Sequence, residues 1–136
     1  MRPLTELSSL TAVSNTDYSY TSPTYSVKAK DQEYLLISEI SISGDSTFLG
    51  NGYMQIEING ENITNQNSPQ NELQLINNYT FDFNGDKMFV YVEPGQKIIV
   101  NSRVSSGSGN MQVAILGMRL TKNEFEQLRN KFLGAK

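Results

Sequence analysis

The sequence predicts an all-β fold, an antiparallel β-sandwich, on three observations. Apolar residues come in strand-sized clusters separated by Gly, Pro, Asn and Asp. One stretch, 53–58, alternates strictly between apolar and polar. No helical period interrupts the clusters until the end of the chain. At 136 residues the chain is one domain's worth, and such a domain buries roughly two thirds of its unfolded surface without disulfide staples.

Residues 1–30 differ from the rest of the chain. The stretch 10–25 is rich in Ser and Thr and has no sustained period. It reads as an extended N-terminal arm that gains order on a surface. Tyr18, Tyr20 and Tyr25 are its partner-binding anchors, each with apolar area and one hydroxyl. The competing reading is an ordered first strand lying on its own domain.

The sandwich is expected over 31–120. Its first strand spans 34–43 and ends at Gly44-Asp45. In 53–58, Met54, Ile56 and Ile58 face one way and Gln55 and Glu57 the other, the period of a half-buried strand. Asn59-Gly60 supplies a turn with positive φ. A polar loop, 62–71, precedes short strands at 73–76 and 79–83. Asn84-Gly85 is a hairpin signal. Residues 88–92, apolar on both faces, fit a central strand. Pro94-Gly95 makes a type I or II turn, 98–100 the next strand, 105–110 a flexible loop and 111–120 the last strand.

The period then changes. Thr121-Lys-Asn-Glu124 is a capping box, and Phe125, Leu128 and Phe132 share one helical face. These residues predict a helix over 121–134, packed on the sandwich and stopped at Gly134. Seven or eight strands suit a jelly roll; an immunoglobulin-like sandwich is the alternative, although its Cys and Trp landmarks are absent.

Composition excludes much chemistry. The chain has no Cys, His or Trp. That removes disulfides, thiolate nucleophiles, Ser-His-Asp and Cys-His hydrolases, and most zinc sites. No enzyme activity and no cofactor are expected. Ser, Thr, Asn and Gln number 15, 9, 14 and 8, so the surface is polar but largely uncharged. Residues 31–93 hold ten acids and one base, Lys87, whereas 119–136 hold five bases against Glu124 and Glu126. These are solvated faces, or two poles that attract between subunits. A short basic tail is no nucleic-acid groove, so no nucleic-acid partner is expected. No run is long and apolar enough for a membrane span, and no signal peptide is visible. The acceptor patterns at Asn62 and Asn78 read as chance matches in so Asn- and Thr-rich a chain.

The sharpest metal pattern is Asp82, Asn84, Asp86 and Glu93, at positions one, three, five and twelve of a calcium loop. Lys87 stands where such a loop needs glycine, and the flanks are strands. The same residues read as a hairpin turn, so no metal site is assigned and these four remain its candidates. Glu57 with Glu61, or Glu33 with Glu39, are nominal pairs for glycoside hydrolysis, but acids on the polar face of a strand are ordinary. Gly50-Asn-Gly52 and Gly107-Ser-Gly109 precede no helix, so neither is a phosphate cradle. Tyr53, Tyr79 and Tyr91 lie in strands; Tyr53, beside a Gly-rich turn, is the best platform for stacking on a sugar ring.

A Ser/Thr-rich leading segment, short strands, the turn Glu93-Pro-Gly-Gln-Lys-Ile-Ile-Val100, the closing strand Met111-Gln-Val-Ala-Ile-Leu-Gly-Met-Arg-Leu120 and the helix start Thr121-Lys-Asn-Glu-Phe125 stand in that order. As a pattern over the last 100 or so residues this resembles small accessory capsid proteins of bacterial viruses, the cement or decoration proteins. The resemblance implies a single jelly roll, a homotrimer on the major capsid protein, a place on the virion surface after synthesis in the host cytoplasm, and binding through residues 1–30 and the loops 62–71 and 105–110. It carries no catalytic residues. The alternative is a carbohydrate- or receptor-binding module of a viral fibre or secreted enzyme, with Tyr53 on its ligand.

Overall fold

The computed structural model describes residues 1–13, 24–64, 72–83 and 90–131. In chain order these form β1 (Arg2–Val13), β2 (Thr24–Lys28), β3 (Glu33–Gly44), β4 (Gly52–Ile58), β5 (Glu61–Asn62), β6 (Leu73–Leu75), β7 (Tyr79–Asp82), β8 (Tyr91–Val92), β9 (Lys97–Val104), β10 (Ser108–Thr121) and α1 (Lys122–Arg129). Two antiparallel sheets pack as a sandwich. One has the order β1-β10-β3-β7, with β8 also on β3; the other has β2-β9-β4-β5, with β6 also on β4. Alternation builds the core between them. Met54, Ile56 and Ile58 of β4 are buried as the sequence predicts, and they meet Leu35, Ile37, Ile40 and Ile42 of β3 in one cluster.

The N-terminal residues correct the expectation of an arm. Residues 2–13 pair along their whole length with β10, from Arg2 opposite Arg119 to Val13 opposite Ser108. Leu4 and Ala12 are buried against the sandwich, whereas Thr5, Leu7, Ser9 and Thr11 face solvent. The period-two signal is faint because Glu6 and Ser8 occupy positions on the core-facing side. Tyr25 lies in β2, opposite Val100 of β9. Tyr18 and Tyr20 lie outside the described residues.

The fourth position of each sheet is a broken line. β7 pairs with β3 through Ile42↔Tyr79 to Glu39↔Asp82, and β8 continues in the same sense at Leu36↔Tyr91 and Leu35↔Val92. Along β4, β5 and β6 do the same. Asn84-Gly85 falls outside the described residues, but its flanks run the same way along β3 and form no hairpin with each other. β8 therefore sits on a sheet edge, not in the centre as its apolar composition suggested. The segment is apolar because Val92 is buried and Tyr91 packs beneath the helix.

Two glycines admit close approaches. Between Leu116 and Gly117 the β10·β3 register shifts by one. A Cβ on Gly117 would stand 1.9 Å from the Leu36 carbonyl oxygen, so the bulge requires glycine. Gly52 lies against the ring of Phe48, which is fully buried, and a Cβ there would stand 2.5 Å from it. This packing accounts for Gly52, whereas Gly50 takes a positive φ of 85°. Asp45 fixes the loop carrying Phe48: one carboxylate oxygen accepts from the Thr47 hydroxyl (2.6 Å) and the Phe48 amide (3.0 Å), the other from Asn110 Nδ2 (3.1 Å).

Two of the predicted turns form. Asn59 and Gly60 both take positive φ, 55° and 81°. Gly95 at φ 78°, with the Gln96 amide donating to the Glu93 carbonyl, makes Pro94-Gly95 a type II turn. The capping box is present: the Glu124 amide donates to Thr121 Oγ1 and the Thr121 amide to Glu124 Oε1. Phe125 is buried, stacked on Tyr34 at 3.8 Å between centroids and tilted against Tyr91 at 4.8 Å. Phe132 and Gly134 lie outside the described residues. Among the described residues no helix is long and apolar enough to cross a membrane.

Candidate functional site

The register separates the carboxylates that the sequence made candidates. Asp82 stands opposite Glu39, whereas Glu93 follows Val92, which stands opposite Leu35. At about 3.3 Å per residue, Asp82 and Glu93 are roughly 15 Å apart along β3, too far for ligands that sit within about 2.6 Å of one calcium ion. Asn84 and Asp86 lie outside the described residues. Among the described residues no group of three or more acids is placed to hold a metal ion. Glu33 and Glu39 are six residues apart on one strand, roughly 20 Å. Glu57 pairs with Asn62 and Glu61 with Ile58, so the two carboxylates leave opposite faces of the hairpin. Neither pair brackets a bond.

The tyrosines are engaged by their own domain. The Tyr25 hydroxyl donates to Glu6 Oε2 at 3.0 Å, tying the edge of one sheet to the edge of the other. Burial, then the Glu6 hydrogen bond and charge, push its pKa up to about 12. Tyr53 lies on β4 with the Arg103 guanidinium 4.2 Å from its ring centroid, so one ring face is covered. Tyr79 is 47% exposed and meets Phe81 edge-on at 4.7 Å. The two line a concavity of about 480 Å³ with Ile63, Phe83 and Val90.

Two ionic clusters were not legible in the sequence. Arg103 grips Glu72 with two hydrogen bonds, Nε to Oε2 at 2.9 Å and Nη2 to Oε1 at 2.5 Å, and both side chains are buried. Arg119 reaches Glu33 (2.9 Å) and Glu6 (3.2 Å), and Arg2 joins Glu33 at 3.3 Å. Through Arg119 and Glu33, one base of the basic end meets one acid of the acidic middle within one chain. Both partners lie far apart in sequence, so no local spacing announces them.

A further exposed feature is the outer face of the β1-β10-β3-β7 sheet. Cross-strand partners share a face, so Leu7, Ala114, Ser41 and Thr80 form one row across it. Ser9, Gln112 and Ser43 form the next, and Thr11 lies beside Asn110. Hydroxyls and amides bond along these rows: Ser41 with Thr80 (3.3 Å), Ser43 with Gln112 (3.3 Å), Thr11 with Asn110 (3.0 Å). Charge enters only in the row of Thr5, Leu116, Glu39 and Asp82. This is a neutral hydrogen-bonding face with Leu7, 72% exposed, at its margin. Comparison with protein-family models, curated proteins and solved structures returns no match to this chain.

Proposed function

We propose that this chain is a non-catalytic structural protein of a virion, a capsid cement, decoration or minor capsid protein that stabilises a shell through subunit contacts. The observation that carries the reading is the neutral face of the β1-β10-β3-β7 sheet. Uncharged Ser, Thr, Asn and Gln side chains can exchange water for a partner's polar groups at low desolvation cost, which suits adhesion without chemistry. The separation of the acid pairs supports a role without catalysis. The sandwich is read as a single jelly roll. Its pairings nest: β1 with β10, β2 with β9, β3 with the β7/β8 line, β4 with the β5/β6 line. A long hairpin rolled upon itself gives that nesting.

The partners on this reading are further copies of the chain, as a homotrimer, and a major capsid protein, on the virion surface. The test is assembly on empty shells of that capsid protein. The chain is expected to co-sediment at a fixed ratio and to raise the shell's melting temperature, with Ser41→Glu/Ser43→Glu weakening both. A chain that stays in the supernatant contradicts the reading.

The concavity under Tyr79 favours a second reading, a carbohydrate- or receptor-binding module. Its size and its apolar lining with Thr80 and Asp82 at the rim suit a small ligand. Here Tyr79 is the stacking residue in place of Tyr53. Binding on a glycan array that Tyr79→Ala abolishes and Tyr53→Ala spares would favour it over the structural role.

A further inference from the structure

We infer that the free edge of β1 is a seam for a second copy of this chain, the two β1 strands pairing antiparallel across a two-fold axis with Leu7 opposite Leu7. The inference rests on the edge itself and does not depend on the virion reading.

β1 is twelve residues long and, among the described residues, pairs only with β10. Every second residue of such an edge turns its N–H and C=O away from the sheet, a template for another strand. Most edges in proteins are blunted, and the other three here are. β2 has five residues and carries Lys28; β5 and β6, like β7 and β8, are short pieces carrying Glu61 or Asp82. From Thr5 to Thr11, β1 has one charge, Glu6, and neither proline nor glycine. Glu6 is already held by Arg119 and Tyr25.

The sequence of β1 is complementary to itself in one register. A two-fold axis normal to the sheet keeps like faces together, so residues pair only in steps of two. With Leu7 on the axis, Thr5 meets Ser9, Leu4 meets Leu10, Glu6 meets Ser8 and Pro3 meets Thr11. Apolar then faces apolar, and no charge faces its like. One step toward the N-terminus sets Glu6 against Glu6, a repulsive pair. One step the other way sets Glu6 against Leu10. The favoured register also covers Leu7, the most exposed large apolar side chain described, with its own copy. Because this contact is isologous it closes at two copies. If a trimer forms through another surface, the seam joins neighbouring trimers.

The full chain has no cysteine, so Leu7→Cys places a single thiol on the axis. Opposed residues of antiparallel strands have Cβ atoms about 4.5–5.5 Å apart, close to disulfide range. Mild oxidation is expected to give a covalent dimer at least about tenfold faster than Ser46→Cys, an exposed position off the seam. Leu7→Lys is expected to shift the solution mass, by light scattering, from an even number of chains to half that number with the far-UV circular dichroism spectrum unchanged. Slow crosslinking equal to that of Ser46→Cys, a mass unaffected by Leu7→Lys, or a trimer in which Cys substitution at position 7 is unreactive would each overturn the seam.

Discussion

The two edges of the β1-β10-β3-β7 sheet are built on different principles. On one side, β1 is held by an unbroken backbone register over twelve residues. On the other, the β7/β8 line pairs with β3 at four and two positions, adds backbone bonds at Phe83 and Val90, and is pinned further by side chains. Asn59, from the other sheet's turn, donates Nδ2 to the Tyr91 carbonyl (2.9 Å) and accepts the Glu93 amide (2.9 Å). The β5/β6 line obeys the same principle. Arg103 grips Glu72 just before β6, and Asn62 Oδ1 takes the Thr64 amide and hydroxyl after β5 (2.8 and 2.7 Å). An edge secured by side chains is short, charged and already occupied. An edge secured by its inner backbone register leaves its outer backbone free.

The contrast can be broken at either end. The largest effect is expected from Arg103→Ala, which removes the cation from a buried ion pair with Glu72 and should cost about 3–5 kcal/mol in urea unfolding. A loss below about 1 kcal/mol would mean that the broken line stands without its ionic pin. On the intact side, Leu4→Ala removes a buried side chain and should cost about 2–5 kcal/mol, whereas Tyr79→Ala on the opposite edge should cost far less. Equal losses would erase the distinction between the edges. Asn59→Ala removes one bond to the Tyr91 carbonyl and one from the Glu93 amide and should cost about 1 kcal/mol.

Smaller effects come from pH. Tyr25 has a native pKa raised to about 12 from an unfolded value of 10.0. The folded state therefore holds the proton longer, and this contribution is intact below about pH 10 and lost as pH rises toward 12. Tyr25→Phe should flatten that alkaline limb. Asp45 has the opposite sign. The Thr47 hydroxyl first, then the Asn110 and Phe48 groups, hold its carboxyl below the usual range against the opposing effect of burial. Its contribution is present above the unfolded pKa of 3.8 and is lost as pH falls through the lowered native value. Asp45→Asn should weaken the acid limb of the stability profile.

Local chemistry made the elements legible, and long-range pairing hid the rest. The alternation in β4, the Asn59-Gly60 turn and the Thr121 capping box need only neighbours in sequence, and all three form as read. β1 escaped because Glu6 and Ser8 sit on its core side; Glu6 is tolerated there by Arg119, more than a hundred residues away in sequence. Asn84-Gly85 misled because a turn signal says nothing about which strand its flanks will pair with, and β3 is long enough to take both. Of the candidate site residues, Tyr25 and Tyr53 could not be judged without Glu6 and Arg103, which the chain brings from elsewhere.

Amide hydrogen exchange along β1 tests the account most directly. In dilute solution, residues 4–11 should alternate, slow where the N–H meets β10 and fast where it faces the open edge. On concentration the fast set alone should slow as a second copy pairs. Uniformly fast exchange across these residues, at any concentration, would mean that β1 is a loose arm after all and would contradict both the strand and the seam.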